Sequence, residues 1–551
     1  MGVTAFVVRR QRGAMDSALP EPHAPARLDR RGLLRGAALT AGAASAGGLI
    51  SGGLLSGRAS AGPLLVRRDR PILPLGVQSG DVRAGGAVLW AKADRPARLV
   101  AEISRDASFR RARTIRGPIV TPHTDLTGRI SLHGLPSGTD LHYRIRAVDL
   151  DSRATGGAVT GQLRTAPGRG DDIRFLWSGD IAGQGWGVNP DLGGFRIADA
   201  MRSRHADFFL CSGDTIYADG PVQETVALPD GSTWRNLVIP EKTKVAETLD
   251  EFRGQYRYNL MADNWRALLA ETSQVGQWDD HEVTNNWYPG EILADARYTE
   301  KRVDVLASRA RRAFHEYVPV APISPDPEGR VYRVINYGPH LDLFVLDMRT
   351  HTDPNTANDE SGPAARDGGV LGERQTEWLL RELRQSRATW KVIAADLPIG
   401  LVVPDGATAQ EGIAQGDGGA PLGREADIAR VLTGLSRAGI RNHVWLTADV
   451  HYTAAHHYSP DRASYQDFDP FWEFVSGPLN AGAFGPNRLE GTFGPVADFV
   501  AAPPTANTSP AEGHQYFGEV EIDSRTRQLT VTLRDVDGAA IYTRTLDPAA
   551  R

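Results

Sequence analysis

The sequence predicts an α/β protein in which a sheet-rich core follows a small β-sandwich of the immunoglobulin or fibronectin type. Residues 77–167 consist of short apolar-alternating runs separated by turn residues, at the spacing of a sandwich. Beyond Asp172 the runs become continuously apolar and alternate with helical patterns, the layout of an α/β sheet. Several of these later runs end in a carboxylate, and sites in such sheets open at strand C-termini. At roughly 100–200 residues per domain, 551 residues accommodate two to four domains.

Taken in order, residues 1–61 read as a leader. Arg27-Leu-Asp-Arg-Arg-Gly-Leu-Leu-Arg is followed by an Ala/Gly/Leu-rich run from Gly36 to Leu55 and by Ala59-Ser60-Ala61. That is a basic, then apolar, then small-residue cleavage plan. The Arg30-Arg31 pair resembles a twin-arginine export signal, which implies the twin-arginine machinery as a partner and a secreted, periplasmic or cell-wall-associated product. A retained anchor is the alternative, but the run is rich in Gly, Ala, Ser and Thr. No other stretch approaches about 18 apolar residues, so no span is expected after cleavage.

Residues 62–168 form the expected β-sandwich domain, with strands at 87–92, 98–103, 128–133 and 141–148. The turn-rich Thr165-Ala-Pro-Gly-Arg-Gly-Asp-Asp leads into the core domain, 169–551. Its strands are expected at 173–178, 207–212, 273–278, 341–346, 390–395 and 443–447, with helices near 195–203, 373–386 and 425–438.

Charge and cysteine exclude whole classes. The chain carries −5, and residues 1–61 hold eight Arg against three acids (+5), so the remainder carries −10. A surface of that sign has no general attraction for nucleic acid or anionic lipid, and a phosphate substrate must be held locally. The single Cys211 rules out a disulfide framework and a multi-thiolate zinc site, and its place on an apolar run makes it a buried structural thiol.

Five polar clusters follow five strand-like runs: Ser178-Gly-Asp180, Ser212-Gly-Asp214-Thr-Ile-Tyr217, Trp278-Asp-Asp280-His281-Glu282, the weaker Ala395-Asp396, and Ala448-Asp449-Val-His451. Singly, each has an ordinary reading as a turn, a helix cap or a salt-bridged loop. Together they place acids at one sheet edge, where burial without cations is costly. Aspartate oxygens and imidazole suit hard and borderline metals, and two ions sharing one carboxylate activate water and hold a phosphoryl group.

The motifs Gly213-Asp-Thr-Ile-Tyr, Trp278-Asp-Asp-His-Glu-Val-Thr-Asn-Asn and Leu446-Thr-Ala-Asp-Val-His resemble those of the PhoD-type alkaline phosphatases, relatives of the calcineurin-like metallophosphatases. Gln78-Ser-Gly-Asp, Val345-Leu-Asp-Met-Arg and Leu371-Gly-Glu-Arg-Gln-Thr-Glu-Trp-Leu agree, and the likeness spans nearly all of 72–545. The resemblance implies a four-layer α/β/β/α metallophosphatase core and phosphomonoesterase or phosphodiesterase activity, some members being described as phospholipase D. It also implies roles. Asp180, Asp214, Tyr217 and His451 would hold a first ion, and Asp214, Asp280 and Asp449 a second, with Asp396 a further ligand candidate. His281 would protonate the leaving oxygen or steady the phosphoryl group. Arg349, read from its place after a strand end in Asp347-Met-Arg349, would contact phosphate or pair with a neighbouring carboxylate, the safer reading. The family often has Cys where this chain has Asp180. Tyr217 still favours Fe³⁺, and the oxygen-rich second site suits Ca²⁺, with manganese or zinc as alternatives.

Of the other histidines, His456 and His457 would line the mouth or sit in a loop, and the aromatic tract at 465–474 reads as core. The resulting expectation is an exported, metal-dependent hydrolase of phosphate mono- or diesters, small molecules or phospholipids, acting through a metal-activated hydroxide. A phospholipase D-type phosphodiesterase is the nearest alternative. A non-catalytic extracellular binding protein built on the sandwich is the more distant one.

Overall fold

The computed structural model describes residues 69–168, 170–322, 329–361 and 369–549, so the expected leader at 1–61 lies outside the described residues. Residues Val66–Arg551 form one compact unit.

Seven strands come first: β1 (Val77–Arg83), β2 (Gly86–Lys92), β3 (Ala97–Ser104), β4 (Arg113–Val120), β5 (Thr127–His133), β6 (Asp140–Asp149) and β7 (Val159–Arg164). Next come β8 (Ile173–Ser178), α1 (Ile197–Arg202), β9 (Phe208–Ser212), the hairpin β10 (Thr225–Ala227) and β11 (Thr233–Arg235), α2 (Leu249–Asn259), α3 (Asp263–Glu271), β12 (Ser273–Gln277) and α4 (Val303–Tyr317). The second half holds β13 (Arg333–Asn336), β14 (Leu341–Val345), α5 (Gly372–Gln385), β15 (Trp390–Ala394), the hairpin β16 (Pro404–Asp405) and β17 (Ala409–Gln410), α6 (Glu425–Arg437) and β18 (His443–Thr447). The chain ends with β19 (Thr453–Tyr458), β20 (Phe471–Val475), β21 (Pro495–Ala501), β22 (Tyr516–Ile522), β23 (Leu529–Asp535) and β24 (Ala540–Leu546).

Two large sheets face each other. One runs β24-β23-β22-β8-β9-β12-β1-β2-β5 and the other β13-β14-β15-β18-β20-β19-β21. Strand alternation makes the layers. Phe175, Trp177, Phe208 and Leu210 point inward to meet Leu343, Val345, Val392 and Leu446 of the second sheet. Their neighbours Leu176, Phe209 and Cys211 point outward and are covered by α1–α4. On the other side Phe344, Ile393 and Trp445 are covered by α5 and α6. The result is the α/β/β/α order.

The N-terminal strands form the sandwich-like region, with the sheet β4-β3-β6-β7 packed on β1, β2 and β5. That second layer is continuous with the core sheet, because β1 pairs in parallel with β12 at Gly80 and Gln274. A Cβ at Gly80 would come within 2.6 Å of the Gln274 carbonyl oxygen, so the junction needs glycine. Strands from both sides of residue 168 therefore share one sheet. The parallel strands β8, β9 and β12, and β14, β15 and β18, bring their C-terminal ends together.

Candidate metal centre

Every acid singled out in the sequence follows a strand that ends at this edge. The backbone turns sharply there: Asp180 (φ 67°), Asp214 (φ 47°), Asp449 (φ 67°) and His451 (φ 60°) all adopt the left-handed conformation. For residues other than Gly this costs of order 1–3 kcal/mol each and persists where the surroundings impose it. Gly213 (φ 90°) precedes Asp214, and a Cβ there would lie 2.4 Å from Cβ of Asp279, so the loops after β9 and β12 touch at this glycine. Glu282 ties the same loops. Its carboxylate accepts from the backbone N–H groups of Asp214 (3.1 Å), Thr215 (2.7 Å) and Asp279 (2.7 Å), and burial pushes its carboxyl up to about 8.

A first nest gathers Asp180, Asp214 and His451, whose donor atoms lie within 4.8 Å of one another. His451 Nε2 is 3.6 Å from Asp180 Oδ1 and 2.8 Å from the Tyr217 hydroxyl, which brings Tyr217 into the group. His451 Nδ1 sits against the Gly482 carbonyl, so the network assigns the proton to Nδ1 and leaves the Nε2 lone pair facing the nest. Burial lowers the imidazole to about 4 and keeps it neutral. Both carboxylate oxygens of Asp180 are buried and accept no hydrogen bond among the described residues.

A second nest gathers Asp279, Asp280 and Asp449, and a third grouping of Asp214, Asp280 and His281 joins the two. Burial and the neighbouring acids push the carboxyls of Asp180, Asp214 and Asp449 well above the usual range. Asp280 is the exception: despite burial, His281, Arg349 and the N–H groups of Asn286 and His281 hold it low. The acids of the cluster outnumber the basic groups that face them, Arg349 and His281.

Arg349 stands beneath the second nest, 2% exposed. Its Nε lies 2.5 Å from Asp279 Oδ1, and Nη2 reaches Glu411 and, at 3.4 Å, Asp449 Oδ1. Asp280 and Asp396 follow at 3.8 and 3.7 Å. Of the two readings of Arg349, the geometry is that of the carboxylate pairing: a guanidinium held by buried carboxylates on several sides is an internal cation and is not among the residues that line the cleft. Asp396 likewise joins none of the three groupings; it accepts from Gln277 Nε2 at 3.3 Å and faces Arg349.

His281 lies at the cleft, a cavity of about 220 Å³ that Asp214, Asp280, Asp449, His451, Glu411 and Phe484 also line. Its Nδ1 is 2.7 Å from Asp219 Oδ1, Nε2 is 4.0 Å from Asp280 Oδ2, and the ring leans on Tyr217 with centroids 4.2 Å apart. Burial opposes protonation of this imidazole, but Asp219, Asp280 and Asp214 overcome it and lift it well above its ordinary value.

Four residues of the site have no role that the sequence assigns. Asp279 sat in plain view beside Asp280, and Asp219 two residues beyond Tyr217. Glu282 stands in the sequence only as the end of a cluster, and Glu411, directly after β17, has no local signal. His456 is neither at the mouth nor in a loop: it lies on β19, buried, with Nδ1 3.0 Å from Glu473. Cys211 is buried among the outward side chains of β9, its thiol pushed up to about 12 by burial. Phe468, Phe471 and Phe474 of the aromatic tract are core.

The family model of the PhoD-like phosphatases matches residues 175–533, and that of the PhoD-like phosphatase N-terminal domain matches residues 58–167. The chain belongs to the PhoD-like phosphatase family. It is 25% identical over 442 residues to alkaline phosphatase D of Bacillus subtilis (strain 168), covering 76% of this chain and 71% of that relative. A solved structure of PhoD matches with a TM-score of 0.65 at 20% identity, covering 88% of this chain and 90% of the other, and shares its fold. As a PhoD-like phosphatase the chain is a phosphoric ester hydrolase.

Proposed function

We propose that this PhoD-like phosphatase is an exported enzyme that hydrolyses phosphate mono- or diesters at a two-cation centre built on Asp214. The observation that carries this is Asp180: two buried carboxylate oxygens without a partner, aimed into a nest with Asp214 and His451. Orphaned anionic oxygens on that scale are tolerated where a cation satisfies them. The donors fit such a group. Asp180, Asp214, Tyr217 and His451 would hold one cation, and Asp214, Asp280 and Asp449 the other, with Asp279 within reach. The phenol oxygen of Tyr217 favours Fe³⁺ at the first place, and the all-carboxylate second place suits Ca²⁺. When bound, the cations supply Lewis acidity to the phosphoryl oxygens and acidify a water molecule.

The protein's own part is positional. Asp219 holds the Nδ1–H of His281, which leaves Nε2 as the atom that carries a proton toward the leaving oxygen. Arg349 keeps Asp279 and Asp449 in place from below. The leader sequence supports twin-arginine export.

The test combines elemental analysis of purified protein with release of p-nitrophenol from mono- and diester substrates. Bound metal with turnover of either ester is the expected result, and the ratio of the two rates fixes the preference. A metal-free, inert preparation overturns the proposal and favours the binding protein. Zinc or manganese at full occupancy with full activity keeps the phosphoesterase and corrects the metals.

A further inference from the structure

The net negative charge conceals a local reversal. Between residues 97 and 120, on β3, the loop after it and β4, six arginines (Arg98, Arg105, Arg110, Arg111, Arg113 and Arg116) stand against Glu102 and Asp106. The register fixes the face of the strand residues Arg98 and Arg116; Arg113 pairs with Ile103 and belongs to the other face, and Arg105, Arg110 and Arg111 are exposed in the loop between the strands. Val100 pairs with both Arg116 of β4 and Arg146 of β6, and Glu102 pairs with Arg144. The alternate residues Leu99, Ala101 and Ile103 are buried against the core, so Arg98, Arg116, Arg144 and Arg146 lie on the opposite, outward face.

The two acids do not neutralise this face. Glu102 is shared, 2.6 Å from Arg144 Nε and 2.5 Å from Arg146 Nη2. Asp106 is spent on its own turn, accepting from the Ser104 hydroxyl and the Ser108 N–H. Among the described residues, no carboxylate pairs with Arg105, Arg110, Arg111 or Arg116. Apolar surface is embedded in the same face. Ile119 is 46% exposed and pairs in register with Arg98, and the ring of Phe109 lies 4.4 Å beneath the Arg144 guanidinium.

We propose that this outward face of the N-terminal sheet is a peripheral docking surface for an anionic phospholipid bilayer. Guanidinium forks match the phosphate oxygens of headgroups, and an exposed isoleucine among them reaches the acyl boundary. The charge complementarity is local, which is why the net charge of the chain does not reveal it. A nucleic acid would find the same arginines, but the aromatic ring here is covered by Arg144 and offers no open stacking platform. The surface is independent of the metal centre and of the reaction proposed for it.

The experiment is co-sedimentation of the full chain with vesicles of phosphatidylcholine, with and without phosphatidylglycerol, at low and high salt. The wild type is compared with Arg110→Glu/Arg111→Glu/Arg116→Glu and with a control of equal charge change on α5, Arg374→Glu/Arg381→Glu/Arg384→Glu. All three proteins carry the same leader residues, so any leader contribution cancels. The expected result is salt-sensitive binding to phosphatidylglycerol vesicles that falls roughly tenfold or more in the sheet variant. The control keeps its binding, and turnover of a soluble ester stays unchanged in both. Equal sedimentation of wild type and sheet variant overturns the proposal, as does equal loss in the control. Tighter binding to duplex DNA than to the vesicles, with the same dependence on these arginines, assigns the surface to nucleic acid and overturns it too.

Discussion

Removing the guanidinium of Arg349 should make the stability of this fold depend on added cations. The side chain is 2% exposed, with Asp279 at 2.5 Å and Asp449 at 3.4 Å, and Glu411 in direct contact. Deleting one partner of a buried ion pair costs about 3–5 kcal/mol, because the remaining charge is left uncompensated. The compact unit Val66–Arg551 has an unfolding entropy of roughly 1 kcal/mol per kelvin at about 2.1 cal/mol/K per residue. Chelator-treated Arg349→Gln should therefore melt about 3–5 °C below the wild type. Differential scanning calorimetry reads this directly. Adding a divalent cation should recover most of the loss, since the bared acids Asp279, Asp280 and Asp449 already converge within 4.8 Å. Arg349→Lys keeps the charge without the fork and should fall between the two. An unchanged melt for chelator-treated Arg349→Gln would refute the reasoning.

Asp219→Asn should lower kcat about 10²-fold with the metal content retained, because the His281 tautomer is no longer fixed. The loss should be larger for alkyl phosphates than for p-nitrophenyl phosphate, and uniform losses would contradict a proton-transfer role. Burial, aided by Lys391, lowers His443 to about 4, below its unfolded value, so its contribution to stability is full above about pH 6.5 and is lost as pH falls through 4. His443→Leu should flatten that acid loss by about 3 kcal/mol, measured by denaturant titration at neutral and acid pH, and an unaltered pH profile would count against it. Ligation of Fe³⁺ by Tyr217 should give a visible phenolate-to-iron band that Tyr217→Phe loses; a colourless, fully active wild type would remove iron from the first place.

What the sequence made legible is local. A buried run such as Ile173–Ser178, broken by Gly179 and ending in Asp180, announces both a strand and an acid at its end. The same reading located Asp214, Asp280, Asp449 and His451, which the fold gathers at one edge. What it missed is pairwise and distant. The parallel bridge between Gly80 and Gln274 leaves no periodic trace, so nothing in the sequence shows that one layer of the sandwich continues the core sheet. The place of Arg349 after a strand end fits a phosphate contact or a salt bridge, and only the three-dimensional placement of Asp279, Asp396, Glu411 and Asp449 around it names its partners. His456 read as a loop residue because a strand beginning soon after His451 has no turn signal to mark it, and its partner Glu473 lies on the neighbouring strand.

The central claim, a two-cation centre shared by one carboxylate, is tested most directly by elemental analysis of Asp214→Asn beside the wild type. Asp214 belongs to the first nest and groups with Asp280 of the second, so its loss should lower the metal content at both places and abolish ester hydrolysis while the fold persists. Full metal occupancy in folded Asp214→Asn would contradict the account.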